Sequence, residues 1–147
     1  MKTLPLLIAV STLLAIADAS GAEQRVSCPA QLTPTDIQIH YSSEDWALFV
    51  LRPVLLTEGG MLHGPPSELA YLVPDQSTRW NSRKHSVQTQ HWSFDVPNGY
   101  TKWMYCGYGS GATLKIFKEV TAAAVECIMT SRTADKTVQE DIQFVCR

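Results

Sequence analysis

His91-Trp92-Ser93-Phe94-Asp95-Val96-Pro97-Asn98-Gly99-Tyr100-Thr101-Lys102-Trp103-Met104-Tyr105-Cys106 is the stretch whose reading decides the fold class. Asn98-Gly99 is a strong signal for a two-residue type I′ turn, because that turn needs positive φ at both central positions. With those residues as the loop, Asp95 falls opposite Lys102, Phe94 opposite Trp103 and Trp92 opposite Tyr105. One charge pair and two aromatic pairs agree on the register, each a pair type that stabilises antiparallel strands. The aromatic face is expected in the core. Cys106 then points to the other face with Met104 and Tyr108, where a segment carrying Cys28 can reach it.

Outward from this hairpin, short strands and turns continue in both directions. Asp36 to Tyr41 alternates Ile37 and Ile39 with polar residues, the period of a half-buried strand. Trp46 to Leu51 reads as a buried strand that Pro53 ends. Glu58-Gly59-Gly60-Met61 reads as a tight turn between Val54-Leu55-Leu56 and Met61-Leu62. Gly64-Pro65-Pro66 interrupts regular structure, Glu68 to Val73 resumes it and Pro74-Asp75 ends it. Gln76 to Gln90 is polar and reads mostly as an exposed loop. Gly107, Gly109 and Gly111 mark a turn before the alternating run Thr113 to Phe117. Lys118 to Met129 favours a strand, since Val120, Thr121, Val125 and Ile128 are β-branched, although Ala122-Ala123-Ala124 would suit a helix. With Ile142 to Cys146, this makes roughly eight to ten short strands separated by turn signals. The expected fold is all-β, an antiparallel β-sandwich or flattened barrel with two disulfides; the alternative is α+β with one short helix near residues 118–130.

The chain starts with the pattern of a secretory signal. Lys2 supplies a positive n-region, Leu4 to Ala17 an apolar run short for a bilayer, and Ala17-Asp18-Ala19 or Ser20-Gly21-Ala22 a small-residue cleavage site. Cleavage after Ala22 is expected, leaving residues 23–147 as one domain in an oxidising compartment, with no later membrane span. Arg25-Val26-Ser27 before Cys28 is unlike the small apolar motif of lipid attachment. A formal net charge of −2 carries no electrostatic footprint for nucleic acid, and no polybasic run points to a membrane surface.

Four cysteines in an exported chain imply two disulfides, and three connectivities are open. Alternation places Cys127 on an apolar face with Val125 and Met129, and Cys146 on one with Ile142 and Phe144. This favours Cys127 with Cys146 and leaves Cys28 with Cys106. No CxxC pair or close Cys/His spacing points to zinc or another metal, and no cofactor motif is present.

Catalytic patterns are tested and fail. Gly107-Tyr108-Gly109-Ser110-Gly111 has glycine where a hydrolase G-x-S-x-G elbow needs serine, and it is not a G-x-G-x-x-G loop. His40, His63, His85 and His91 lack the spacing of a helical metal site. The hairpin register sets His91 across from Cys106, where a disulfide fits the compartment better than a catalytic thiol. Glu44-Asp45 and Glu140-Asp141 point to opposite faces of a strand and do not form a two-carboxylate site. Trp46, Trp80, Trp92 and Trp103 could stack on sugars, but Trp92 and Trp103 already have a core role. Trp80 stands beside Arg79 in a polar, basic segment with Arg83 and His85, the composition of a protein-binding hot spot.

Several stretches taken together resemble a family of small uncharacterised secreted proteins of Gram-negative bacteria: Cys28-Pro29, Trp46, Gly64-Pro65-Pro66 with Glu68, Ala70, Leu72 and Pro74-Asp75, Trp92-Ser93-Phe94, Tyr105-Cys106-Gly107-Tyr108, Cys127 and Cys146. Some small periplasmic proteins of this kind are encoded beside toxins delivered by type VI secretion. The resemblance implies a periplasmic, non-enzymatic immunity or inhibitor protein whose partner is a secreted antibacterial effector. Loops around Gly59, Arg79 to His85 and Gly107 to Gly111 would supply the contact surface. A glycan- or small-ligand-binding envelope protein is the alternative.

Overall fold

The computed structural model describes residues 23–39, 42, 49–82, 85–94, 100–134 and 140–147. The expected signal segment, Trp46, Arg83 and the Asn98-Gly99 turn lie outside the described residues. Ten strands are described: β1 (Gln24–Ser27), β2 (Gln31–Leu32), β3 (Val54–His63), β4 (Tyr71–Leu72), β5 (Gln76–Asn81), β6 (His85–Ser93), β7 (Lys102–Tyr108), β8 (Leu114–Glu119), β9 (Glu126–Ala134) and β10 (Glu140–Cys146). They form two antiparallel sheets. The first has the order β1-β10-β9-β6-β5; the second runs β2-β3-β7-β8, with β4 also paired to β3. The fold is an all-β sandwich.

The core lies where the inner faces meet. Leu56 and Met61 of β3 and Met104, Cys106 and Tyr108 of β7 pack against Trp92, Cys127, Met129, Ile142, Phe144 and Cys146 of the first sheet. Alternation along β10 buries Ile142, Phe144 and Cys146 completely, each at 0% exposure. Both expected disulfides form: Cys28–Cys106 ties the segment after β1 to the second sheet, and Cys127–Cys146 staples neighbouring strands in direct register.

The hairpin register expected around Asn98-Gly99 does not form between Trp92 and Tyr105. Trp92 pairs with Cys127, whereas Trp103 lies opposite Leu62 and Glu119 in the other sheet. His91 faces Gln76 and Ile128, and Cys106 faces Gly59 and Ile116, so His91 is not across from Cys106. β6 and β7 belong to different sheets. Lys102 and Phe94 still meet, through a cation–π contact of 4.9 Å. Burying an aromatic strand between two partners outweighs the local pairing its turn residues favour.

Glu58-Gly59-Gly60 is not a turn either; it lies inside β3, beside a register irregularity between Leu56 and Glu58. Its glycines serve close approach on both faces. A Cβ on Gly59 would come within 3.0 Å of Ile142 and Met129 across the core, and one on Gly60 within 2.8 Å of the Tyr105 ring. Asp36–Tyr41 is not a strand in its described part. Pro34–Asp36 is a 3-10 turn, held by Thr33 N–H donating to the Asp36 carboxylate at 2.8 Å. Residues 49–51 are likewise outside any strand. Lys118 to Met129 is neither one strand nor a helix: β8 ends at Glu119, a turn closes with Ala124 N–H on the Thr121 carbonyl, and β9 starts at Glu126. Val125 precedes β9 and is exposed, so it does not share the inner face of Cys127 and Met129.

Candidate functional site

Gln76 to Gln90 is a hairpin, not a loop. β5 pairs with β6 from Gln76↔His91 to Asn81↔Ser86 without a register shift. Ser82 closes its end, donating N–H to the His85 carbonyl at 2.8 Å and accepting the His85 N–H on Oγ at 2.9 Å. All six residues of β5 are exposed. This polarity follows from position: β5 is an edge strand beside an open cleft, none of its residues is buried, and no apolar alternation is needed.

Alternation separates the two residues singled out in this segment. Arg79 points to the inner face, where its Nη2 donates to Gln88 Oε1 at 2.7 Å. Trp80 points to the outer face, opposite Val87, and is 61% exposed. His85, also exposed, starts β6 on that outer face. Arg83 lies outside the described residues.

Beside Arg79 the inner face of the sheet runs past the core and becomes polar. Ser86, Gln88 and Gln90 of β6 and Ser131 and Thr133 of β9 face Thr57, Glu58 and Gly59 of β3 across a cleft of about 410 Å³, with Met129 and Ile142 at its apolar end. These residues were missed in the sequence, although a signal exists. Cys127, Met129, Ser131 and Thr133 are in one alternating phase, so the inward face of β9 changes from apolar to hydroxyl halfway along.

Arg79 is the charged side chain that faces this cleft, because Glu58 pairs with Gly107, one step out of phase with the inward Gly59, and turns its carboxylate to the outer face beside Tyr105. Glu58 is paired with Lys115 at 3.3 Å; that ammonium also donates to the Ala112 carbonyl at 2.9 Å and lies 5.3 Å from the Tyr105 ring centre. Burial, then the Glu58 carboxylate, pushes the Tyr105 hydroxyl up to about 12. Among the described residues the partner of Arg79 is the neutral Gln88 amide.

Elsewhere on the outer face, His91 Nε2 meets Glu126 Oε2 at 2.8 Å, and Arg147 Nε donates to the other carboxylate oxygen. These bonds, His91 first, hold the Glu126 carboxyl below its ordinary range. This cluster lies at the stapled end of the sheet, away from the cleft. All four cysteines are in disulfides, and among the described residues no group of three or more His, Cys, Asp or Glu could hold a metal. Among the described residues the hairpin and cleft offer hydroxyls, amides, the Arg79 guanidinium and the exposed Trp80 indole, the groups of a recognition surface.

No curated protein and no solved structure matches the chain. A family model described as type VI secretion system Tli immunity protein matches residues 52–147, the span from just before β3 through β10 that holds both the cleft and the hairpin. The chain belongs to the family of type VI secretion system Tli immunity proteins.

Proposed function

We propose that this protein acts in the periplasm, where it binds a secreted antibacterial effector and blocks it by occlusion, without catalysing a reaction. The family match over residues 52–147 carries the reading. The expected signal segment with cleavage after Ala22 supports export, and the two disulfides fit an oxidising compartment. Among the described residues no helix is long and apolar enough to cross a membrane.

The contact surface in this reading is the β5–β6 hairpin, with Arg79, Trp80 and His85, together with Arg83 of the same stretch of sequence. A disulfide-stapled sandwich holds it in one shape, so little ordering entropy opposes binding. Glycan stacking has less support. Trp92 is 3% exposed and Trp103 half-buried, leaving Trp80 as the one freely presented indole among the described residues.

The test is protection. Susceptible cells expressing the full chain, signal included, are expected to survive the periplasmic action of the toxin encoded beside this gene, and purified protein is expected to bind that toxin. Loss of protection on deleting residues 2–22 would place the action in the periplasm. Cells killed despite secreted, folded protein, with no binding in vitro, would sink the reading.

A further inference from the structure

The free edge of β5 differs from every other edge of the two sheets. β2 and β4 are two residues long. β1 is bridged to the other sheet through Gln24, whose amide donates to the Glu119 carbonyl at 3.1 Å and accepts the Thr121 N–H at 3.1 Å. β8 carries Lys115, Lys118 and Glu119, the charges that commonly guard an edge. β5 has six residues, no proline, no bulge and a single charge, Arg79, which is turned back onto Gln88. Among the described residues no strand pairs with its far side.

The register defines what that edge presents. Ser82 N–H bonds to the His85 carbonyl, and Phe94 N–H bonds across to the Val125 carbonyl. Bonded pairs alternate along antiparallel ladders, so both contacts assign the same phase: Thr78 and Trp80 bond to β6, while the N–H and C=O groups of Ser77, Arg79 and Asn81 point outward.

Building on the immunity reading, we infer that an extended segment of the effector adds to β5 as an antiparallel sixth strand, with an acidic side chain directly opposite Arg79. In such a pair the residue opposite Arg79 exchanges both backbone bonds with it and shares its face, over the mouth of the cleft. Among the described residues the partner of Arg79 is a neutral amide, and the Glu58 carboxylate is turned to the other face of its sheet onto Lys115, so a carboxylate on the added strand completes the electrostatics. The next residue of the segment falls opposite Trp80 on the outer face, in the closer, non-bonded pairing, and an apolar side chain there covers the indole.

The experiment uses the mature protein and the toxin encoded beside its gene. Ser77→Pro removes one outward N–H and leaves the backbone bonds to β6 intact, losing toward β6 only the Gln88 Nε2 bond to the Ser77 hydroxyl at 3.3 Å, which Ser77→Ala removes by itself as the control; Arg79→Glu reverses the charge. Ser77→Pro and Arg79→Glu are each expected to weaken binding about tenfold or more without lowering the melting temperature. On binding to wild type, amide exchange should slow at Ser77, Arg79 and Asn81, while Thr78 and Trp80 are already protected in the free protein. Should Ser77→Pro unfold the hairpin, Arg79→Glu and the exchange pattern decide. If wild type binds but the variants bind equally and the odd-numbered amides keep exchanging, the strand-addition inference is overturned and the immunity reading stands. A free wild-type dimer that Ser77→Pro makes monomeric assigns the edge to a second copy and also overturns it. No binding by wild type defeats both.

Discussion

The two ends of the sheet formed by β1, β10, β9, β6 and β5 are made from the same strands and have opposite characters. Toward the carboxyl end of β6 and the amino end of β9, the inward residues are Trp92, Cys127 and Met129, opposed by Leu56 and Met61 of the second sheet and stapled by Cys127–Cys146. A few residues along the same faces, Ser86, Gln88, Ser131 and Thr133 line an open cleft, and β5 continues the sheet beyond it. Strand pairing runs through both regions, whereas burial is confined to one. A sandwich can therefore build a rigid contact arm by letting one sheet outrun the core that stabilises it.

The largest effect should come from the scaffold. Breaking Cys28–Cys106, which spans 78 residues, is expected to remove about 4.5 kcal/mol in the chain-entropy model, against about 3 kcal/mol for Cys127–Cys146, which spans 19. Denaturant unfolding of the two double Cys→Ala variants measures both; the reverse order would mean native-state strain or residual unfolded structure dominates over loop length.

Next comes the boundary between the two characters. Met129→Ser carries the hydroxyl chemistry of Ser131 one step inward, to a side chain only 4% exposed, and should cost about 3 kcal/mol through lost burial and an added cavity. Thr133→Val, on the same face of the same strand, should change stability by less than about 0.5 kcal/mol. Equal effects would erase the distinction between core and cleft.

That boundary was written in the sequence as a change of residue type within one alternating phase, from Cys127 and Met129 to Ser131 and Thr133. The disulfide pairing was legible for the same reason: alternation tells which face a cysteine occupies, and Cys127 and Cys146 both fell on apolar faces. The β5–β6 hairpin was not legible, because apolar periodicity marks a strand only when one of its faces is buried, and every residue of Gln76–Asn81 is exposed. The Asn98-Gly99 signal misled in the opposite way. Turn chemistry is local, while the choice between pairing Trp92 with Tyr105 or with Cys127 is made by the whole core. Arg79 and Trp80 were found as composition, but only the register shows that they serve opposite faces.

A smaller effect tests the closed end of the outer face. Glu126 is held below its ordinary carboxylate range by bonds from His91 and Arg147. A depressed folded-state value means that its contribution is present at neutral pH and is lost as pH falls below the ordinary range through the folded value. Melting temperature followed from pH 7 down to pH 3 should show a shallower acid decline in Glu126→Gln than in wild type. Parallel curves would show that the cluster only decorates the strand ends.

The smallest expected change in stability is the most informative about the arm. Trp80 is 61% exposed and lies on an edge strand outside the core, so Trp80→Ala should move the unfolding free energy by less than about 0.5 kcal/mol. A loss above about 1 kcal/mol would mean that the indole is packed in solution and the arm is part of the scaffold. If stability holds and effector binding falls by an amount typical of a buried aromatic anchor, about 2 kcal/mol or more, the exposed indole is there for a partner. The comparison between the two ends of the sheet then becomes a separation of roles, in which the stapled end sets the shape and the overhanging end makes the contact.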